Sequence, residues 1–164
     1  MSMKGIGAGK QIPVLTKVAK LETSLETTTA GTDTGDITFD KEVDEVVLIY
    51  AMECVIQSGN GMGTGTQVYV TVSRDPDQDA IDFDDEDTME AWHFWKSFVT
   101  SGMEIQCPNM KKDYNQPMIT SRPQLRVVAK VDTASWSTGK TNVYIWYTTR
   151  KLDAEARRIL IGGT

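Results

Sequence analysis

The sequence predicts an all-β protein, folded as an antiparallel β-sandwich with a flexible N-terminal arm and a short C-terminal extension. Strict alternation in T-Q-V-Y-V-T-V-S-R (66–74) places Val68, Val70 and Val72 on one face of a strand. Similar runs rich in β-branched residues are separated by segments rich in glycine, proline and asparagine. No repeat with a period of about 20–50 residues is visible, which argues against a solenoid or a propeller. A single jelly-roll and an immunoglobulin-like sandwich both fit this pattern, and we expect the jelly-roll.

The first half of the predicted sandwich begins with Ile37-Thr38-Phe39, an alternating segment that opens a strand. The run E-V-V-L-I-Y-A-M-E-C-V-I-Q (45–57) is long enough for a helix, but its β-branched residues and Tyr50 favour a strand. The stretch S-G-N-G-M-G-T-G-T (58–66) predicts a loop because glycine recurs at alternate positions. We therefore expect the strands at 45–57 and 66–74 to pair across this loop.

The segment M-E-A-W-H-F-W-K-S-F-V (89–99) fits two interpretations. A short helix capped by Asp87 or Thr88 would turn Met89, Trp92 and Trp95 inward. A strand would instead alternate Trp92, Phe94 and Lys96 on one face. We expect the helix, followed by a strand over residues 98–106.

Two further strands close the domain, at P-Q-L-R-V-V-A-K-V-D (123–132) and T-N-V-Y-I-W-Y-T-T-R (141–150). The segment S-W-S-T-G-K (135–140) predicts a hairpin loop between them. The predicted organisation is therefore an arm over residues 1–34, a sandwich over residues 35–151 and an extension over residues 152–164. Within the arm, the spacing of Val14, Val18, Leu21 and Leu25 fits one face of a helix.

Composition and charge narrow the class of protein. The chain has 164 residues, of which 40% are apolar and 24% charged, as is typical of a globular domain. No apolar run approaches the roughly 20 residues needed to span a bilayer, and no secretory signal is visible. Two isolated cysteines, Cys54 and Cys107, do not make a disulfide framework. We expect both to be reduced and buried.

The charge is unevenly distributed along the chain. The first twenty residues contain Lys4, Lys10, Lys17 and Lys20 and no acidic residue, giving +4, so the remainder carries −10 of the total of −6. A basic arm on an acidic body predicts that the two parts face different surroundings. Four lysines support at most a weak, non-specific contact with nucleic acid, because salt screens each phosphate contact.

The acidic segment R-D-P-D-Q-D-A-I-D-F-D-D-E-D-T-M-E (74–90) is the first candidate for a binding site. Asp75, Asp77, Asp79 and Glu86 have the carboxylate spacing of an EF-hand calcium loop. Ala80 stands where that loop needs glycine, and the segment follows a strand and not a helix. We therefore predict a solvated loop without a metal ion.

No catalytic residue and no cofactor are expected. The sequence A-S-W-S-T-G-K-T (134–141) matches a relaxed phosphate-loop pattern, but a predicted strand follows it where a phosphate-binding helix would begin. His93 is the single histidine, so a histidine-rich metal site or a catalytic triad has little support.

Four tryptophans raise the possibility of sugar binding, because exposed indole rings stack on sugar rings. We expect Trp146 to be buried in its apolar strand and Trp136 to be exposed in its loop, where it would contact sugar or protein. Apolar residues near the two ends of the chain are further candidates for subunit contacts. They are Ile12, Val14, Leu15, Ile159, Leu160 and Ile161.

The basic, glycine-rich segment K-G-I-G-A-G-K, the polar stretch T-T-T-A-G-T-D-T-G and the β-rich body together resemble single jelly-roll capsid proteins of icosahedral viruses. The resemblance is architectural and covers most of the chain. It implies a shell subunit in the virion, made in the host cytoplasm, that associates with copies of itself and with other virion proteins. It also implies that Lys4, Lys10, Lys17 and Lys20 face inward. The alternatives are a carbohydrate-binding or adhesin-like module and a phage decoration or tail protein.

Overall fold

The described part of the chain forms two four-stranded antiparallel sheets whose inner faces share one core. The computed structural model describes residues 17–25, 31–58, 66–95, 110–132 and 139–152. Their strands are β1 (Lys17–Leu25), β2 (Gly31–Thr38), β3 (Glu45–Ser58), β4 (Gln67–Ser73), β5 (Thr88–Trp95), β6 (Met110–Thr120), β7 (Gln124–Val131) and β8 (Gly139–Lys151). The first sheet has the order β1-β8-β3-β6 and the second β2-β7-β4-β5. The predicted all-β, antiparallel β-sandwich is confirmed.

Alternation along the central strands builds the core. Val68, Val70 and Val72 of β4 are completely buried, as the sequence pattern predicts. The first sheet contributes residues such as Ile49 and Ile145, which are equally buried. Full burial of each such side chain stabilises the fold by roughly 1.5–3 kcal/mol relative to exposure. The sandwich is therefore held together mainly by aliphatic packing between the sheets.

The strands pair in a nested order. β1 pairs with β8, β2 with β7, β3 with β6 and β4 with β5, always antiparallel. Two more ladders, β3–β8 and β4–β7, complete the sheets. The chain thus doubles back at the 74–87 connection, and each strand of the first half meets its counterpart from the second half. Among the described strands, only β4 and β5 are consecutive and adjacent in the same sheet.

This nesting overturns both predicted hairpins. β3 and β4 were expected to pair across the glycine-rich loop, and β7 and β8 across residues 135–140, but each pair is divided between the two sheets. Gly139 and Lys140 belong to β8 and lie opposite Leu25 and Ser24 of β1. The prediction assumed that consecutive strands pair with each other, since this needs the shortest loop. Here the connections cross from one sheet to the other, and both sheets bury their inner faces.

The helix expected to begin near residue 89 is also wrong, because residues 88–95 form β5. Trp92 and Phe94 are buried, whereas Trp95, expected inward, is 63% exposed. The ladder to β4 sets this alternation, since Val68 faces Phe94 and Val70 faces Trp92. Pairing on the sheet outweighs the local helical spacing. The strand expected at 98–106 lies outside the described residues.

The boundary of the predicted arm needs correction. Residues 17–25 form β1, so the helical face predicted for Val18, Leu21 and Leu25 is wrong, and residues 31–34 belong to β2. Both segments complete a sheet edge, and this long-range pairing is not visible in local sequence. The described sandwich therefore begins at Lys17 and not at residue 35. Residues 1–16 and 153–164 lie outside the described residues.

One edge of the sandwich is irregular. Along the β3–β6 ladder the register passes from Ile49 opposite Met118 to Ala51 opposite Asp113, so residues 114–117 of β6 bulge opposite Tyr50. Pro117 lies in this bulge, where its missing N–H costs no ladder hydrogen bond. The bulge turns Tyr114 toward β5, with which it shares a contact described below.

Both ends of the described chain meet the 39–44 connection. Lys17 Nζ donates to Asp40 O at 2.6 Å and to Asp40 Oδ2 at 3.1 Å, and Leu152 N donates to Asp44 O at 3.2 Å. The segments 1–16 and 153–164 consequently start from the same end of the sandwich. Within the described ranges, no helix is long and apolar enough to cross a bilayer.

Candidate functional site

An aromatic surface occupies the outer face of β4 and β5, at one edge of the second sheet. It consists of Gln67, Tyr69, Phe83, His93 and Trp95. The ladder sets Gln67 opposite Trp95 and Tyr69 opposite His93. Because side chains alternate along a strand, burial of the intervening residues turns these four outward. Phe83 joins them from the 74–87 connection.

The rings are arranged as one contiguous group. Tyr69 and His93 stack with centroids 4.4 Å apart and planes 10° apart, and Trp95 lies 5.5 Å from His93. Phe83 meets the Tyr69 ring edge-on at 6.0 Å. Trp95 and Phe83 are 63% and 50% exposed, so their apolar faces remain in water. An exposed cluster of aromatic side chains is typical of a contact surface.

Hydrogen bonds fix the orientation of the two stacked rings. Gln67 Oε1 accepts a hydrogen bond from the Tyr69 hydroxyl and lies 3.1 Å from His93 Nε2. The amide therefore anchors both rings from their polar edges and leaves their other faces to pack or to bind. A stacked and anchored pair loses little side-chain entropy when a ligand binds.

The acidic connection after β4 caps its own turns. Asp75 Oδ1 accepts from Asp77 N at 3.0 Å, Asp82 Oδ1 from Asp84 N at 2.9 Å and Asp85 Oδ1 from Asp87 N at 2.9 Å. Such contacts between an aspartate and the backbone two residues later stabilise tight turns. Several of these carboxylates therefore serve the loop itself.

The four calcium candidates are Asp75, Asp77, Asp79 and Glu86, and the structure does not gather them around a common point. In the described ranges, no group of three or more histidine, cysteine or acidic side chains could hold a metal ion. Asp75 is instead occupied with the Asp77 amide. We keep the prediction of a solvated loop.

This connection also covers part of the outer face of the second sheet. Arg126 Nε on β7 donates to Gln78 O at 3.1 Å, and the same guanidinium reaches Asp36 and Thr34 on β2. Thr71 and Val128 point away from the core by strand alternation, yet both are completely buried. The loop thus packs on the sheet and holds Phe83, with Asp82 and Asp84 on either side of it, beside Tyr69.

A polar contact joins the two sheets on the side where β5 and β6 lie. The Glu90 side chain is only 9% exposed, and its Oε2 lies 2.9 Å from Lys112 Nζ and 2.7 Å from the Tyr114 hydroxyl, which donates to it. Burial raises the pKa of Tyr114, and the hydrogen bond to Glu90 raises it further. We call these three residues the edge clip.

The remaining predicted site residues fall into two groups. Lys17 and Lys20 lie on β1, and the bonds from Lys17 to Asp40 raise the pKa of Lys17. This pairing weakens the case for Lys17 as an inward-facing charge. The other candidates lie outside the described residues: Lys4, Lys10, Ile12, Val14, Leu15, Trp136, Ile159, Leu160 and Ile161, together with Cys107.

Cys54 and Trp146 were both expected to be buried, and only Cys54 is. Cys54 is buried as a free thiol, and burial raises its pKa. Trp146, expected in the core, is instead half-buried on the outer face of the first sheet, with Lys111 Nζ 4.9 Å from its ring centroid. Neither residue belongs to the aromatic surface.

The aromatic surface itself was not predicted from the sequence. The alternation of Trp92, His93, Phe94 and Trp95 contained the signal, since a strand with Trp92 and Phe94 inward must present His93 and Trp95 outward. The contribution of Phe83 had no such signal, because it depends on how the acidic loop folds over the sheet.

Comparison with known proteins adds no family assignment. No protein-family model matches the chain, and no curated protein is detectably similar to it in sequence.

Proposed function

We propose that this chain is a virion structural protein: a capsid subunit that self-assembles through its β-sandwich and its terminal segments. The observation that carries the proposal is the nested strand order. The nested pairing of eight strands, divided between two facing sheets, supports a single jelly-roll, which is also an eight-stranded double sheet. Viral capsid domains are one class of protein built on that fold, alongside lectin domains and cupins.

Because one fold serves many functions, a shell subunit also needs surfaces for association. The aromatic surface supplies a candidate, with Trp95 mostly exposed at the edge of the second sheet. The segments 1–16 and 153–164 start from one end of the sandwich and supply a second candidate. On this proposal the partners are copies of the same chain and other virion proteins, the location is the virion, and no catalysis is expected.

The test is assembly of the purified full-length chain. We expect light scattering after size-exclusion chromatography to show a concentration-dependent oligomer, and negative-stain microscopy to show closed particles of uniform size. A chain that remains monomeric at millimolar concentration, over a range of salt and pH, would exclude the capsid function.

A second candidate function is a carbohydrate-binding or adhesin-like module. The exposed rings of Trp95 and Phe83 favour it, because aromatic faces beside polar groups such as Gln67 suit the apolar faces of sugars. This reading predicts a monomer that binds glycans on an array and loses that binding in Trp95→Ala. Assembly without glycan binding would favour the shell subunit.

A further inference from the structure

We propose that the aromatic surface binds the N-terminal segment, residues 1–16, of a second copy of the chain. The inference rests on the proposed function, since it specifies the contact through which copies associate. It joins two features with opposite character: an aromatic surface beside carboxylates, and a segment that combines lysines with apolar residues.

The chemistry of the aromatic surface suits a lysine side chain. Four rings lie within 6.0 Å of a neighbouring ring, and the two outer ones, Phe83 and Trp95, are at least half exposed. Aromatic faces attract an ammonium group through their quadrupole, and they also pack against the methylene stem of lysine. The exposed residues Asp82 and Asp84 flank Phe83 in the chain and supply negative charge beside the rings.

The N-terminal segment has the complementary composition. Residues 1–16 contain Lys4 and Lys10, no acidic residue, and the apolar run Ile12-Pro13-Val14-Leu15. Its positive charge contrasts with the acidic remainder of the chain. One basic residue, Lys130, lies opposite Tyr69 in the ladder, but its ammonium is 3.7 Å from Asp132 Oδ1. The surroundings of Phe83 therefore favour a cationic segment.

The two features lie at opposite edges of the sandwich. Lys17, where the segment starts, lies on β1 at one edge of the first sheet and is tied to Asp40. β5 lies at the far edge of the second sheet, where Glu90 meets β6. To reach the aromatic surface of its own chain, the segment would have to cross the width of the first sheet, about 14 Å from β1 to β6, and the spacing between the two sheets, about 10 Å. A fully extended segment of residues 1–16 spans roughly 50 Å and is long enough for either route, so the assignment to a second copy rests on the proposed self-association.

The decisive experiment is a charge exchange in the full-length chain. The first variant, Lys4→Glu/Lys10→Glu, reverses the charge of the segment. The second, Asp82→Lys/Asp84→Lys, reverses the charge beside the aromatic surface. Self-association of each variant is measured by sedimentation equilibrium at an ionic strength of about 0.1 M, where the screening length is about 10 Å. We expect each variant alone to associate at least about tenfold more weakly than the unmodified chain.

Mixing the two variants tests docking between copies. The unchanged segment of the second variant can then bind the unchanged surface of the first, and the two reversed partners also match. We expect the mixture to recover association. If association returns only when all four substitutions are combined in one chain, the segment docks on its own sandwich and the proposal is wrong.

Two further variants guard against indirect effects. Asp82 Oδ1 caps the turn at Asp84 N, so Asp82→Lys could disturb the loop. Trp95→Ala leaves that loop unchanged, and we expect it to weaken association by at least about tenfold, as truncation of an aromatic anchor does. The control Glu42→Lys/Asp113→Lys makes the same change in net charge at two other exposed positions and should associate normally. Equal weakening in this control would overturn the proposal.

The outcomes also separate this inference from the proposed function. If the unmodified chain does not associate, the capsid function fails. If it associates and all the variants associate equally well, only the docking inference fails. Glycan binding that is abolished by Trp95→Ala, in a chain whose association is unaffected, would assign the aromatic surface to sugar instead.

Discussion

Truncation of Glu90 should destabilise the sandwich more than loss of either of its partners. Glu90→Ala removes the carboxylate that accepts from the Tyr114 hydroxyl and pairs with Lys112. A hydrogen bond to a charged group contributes roughly 1.5–3 kcal/mol when it is shielded from water. Lys112 is 59% exposed, so its ion pair should add no more than about 1 kcal/mol. We therefore expect Glu90→Ala to lower the free energy of unfolding by about 2–3 kcal/mol.

The same reasoning predicts an order among three variants. Tyr114→Phe should cost about 1–2 kcal/mol, because the carboxylate keeps Lys112 but loses a half-buried donor. Lys112→Ala should cost less than about 1 kcal/mol. Glu42→Ala, at an exposed position on the 39–44 connection, is the matched control and should change stability by less than about 0.5 kcal/mol.

Urea unfolding at pH 7, followed by tryptophan fluorescence and circular dichroism, measures these differences as shifts in midpoint at constant slope. A double-mutant cycle between Glu90 and Tyr114 then isolates their coupling. If Glu90→Ala matches the unmodified chain, or if Lys112→Ala costs as much as Tyr114→Phe, the assigned roles in the edge clip are wrong.

Three further outcomes are expected. Folding raises the pKa of Tyr114, so above about pH 10 the unfolded chain loses the phenolic proton before the folded chain does. The free energy of unfolding should therefore fall with pH by up to about 1.4 kcal/mol per pH unit more steeply than in Tyr114→Phe. Equal slopes in alkaline urea titrations would contradict this. Calorimetric titration with calcium should show no binding tighter than about millimolar, and a micromolar isotherm that disappears in Asp77→Ala would refute the solvated loop. The Cys54 thiol is buried and its pKa is raised, so in a Cys107→Ser variant it should react with a thiol reagent only as fast as the chain unfolds. Immediate reaction in native buffer would show that the thiol is accessible.

The fold class was predictable because it depends on local alternation. The alternation of Val68, Val70 and Val72 with more polar residues predicts a strand that buries these three side chains on one face. All three are buried in the structure. The pairing partners of the strands were not predictable. Nothing in the local sequence of β3 indicates that it pairs with β8 and β6 instead of with β4. The same limit explains β1, whose residues carry a spacing that also fits a helix.

The candidate site shows the same division. His93 and Trp95 could have been placed outward once residues 88–95 were read as a strand, but the helical spacing of Met89, Trp92 and Trp95 competed with that reading. Stacking of His93 on Tyr69 requires the register between β4 and β5, which the sequence does not specify. Phe83 requires the fold of a long loop, where no periodicity exists.

The nested strand order has a consequence for synthesis of the chain on the ribosome. β1 is made first among the described strands, yet its ladder partner β8 is made last, with Lys17 opposite Tyr147. The β4–β5 ladder closes the shortest loop and is the natural place for folding to nucleate, whereas β1 must wait for the final strand. Until then the edge of β3 that pairs with β8 keeps its backbone N–H and C=O groups unpaired and is prone to aggregation. A nascent chain stalled before residue 139 should therefore depend on chaperones, and release of the full chain should let the last ladder close.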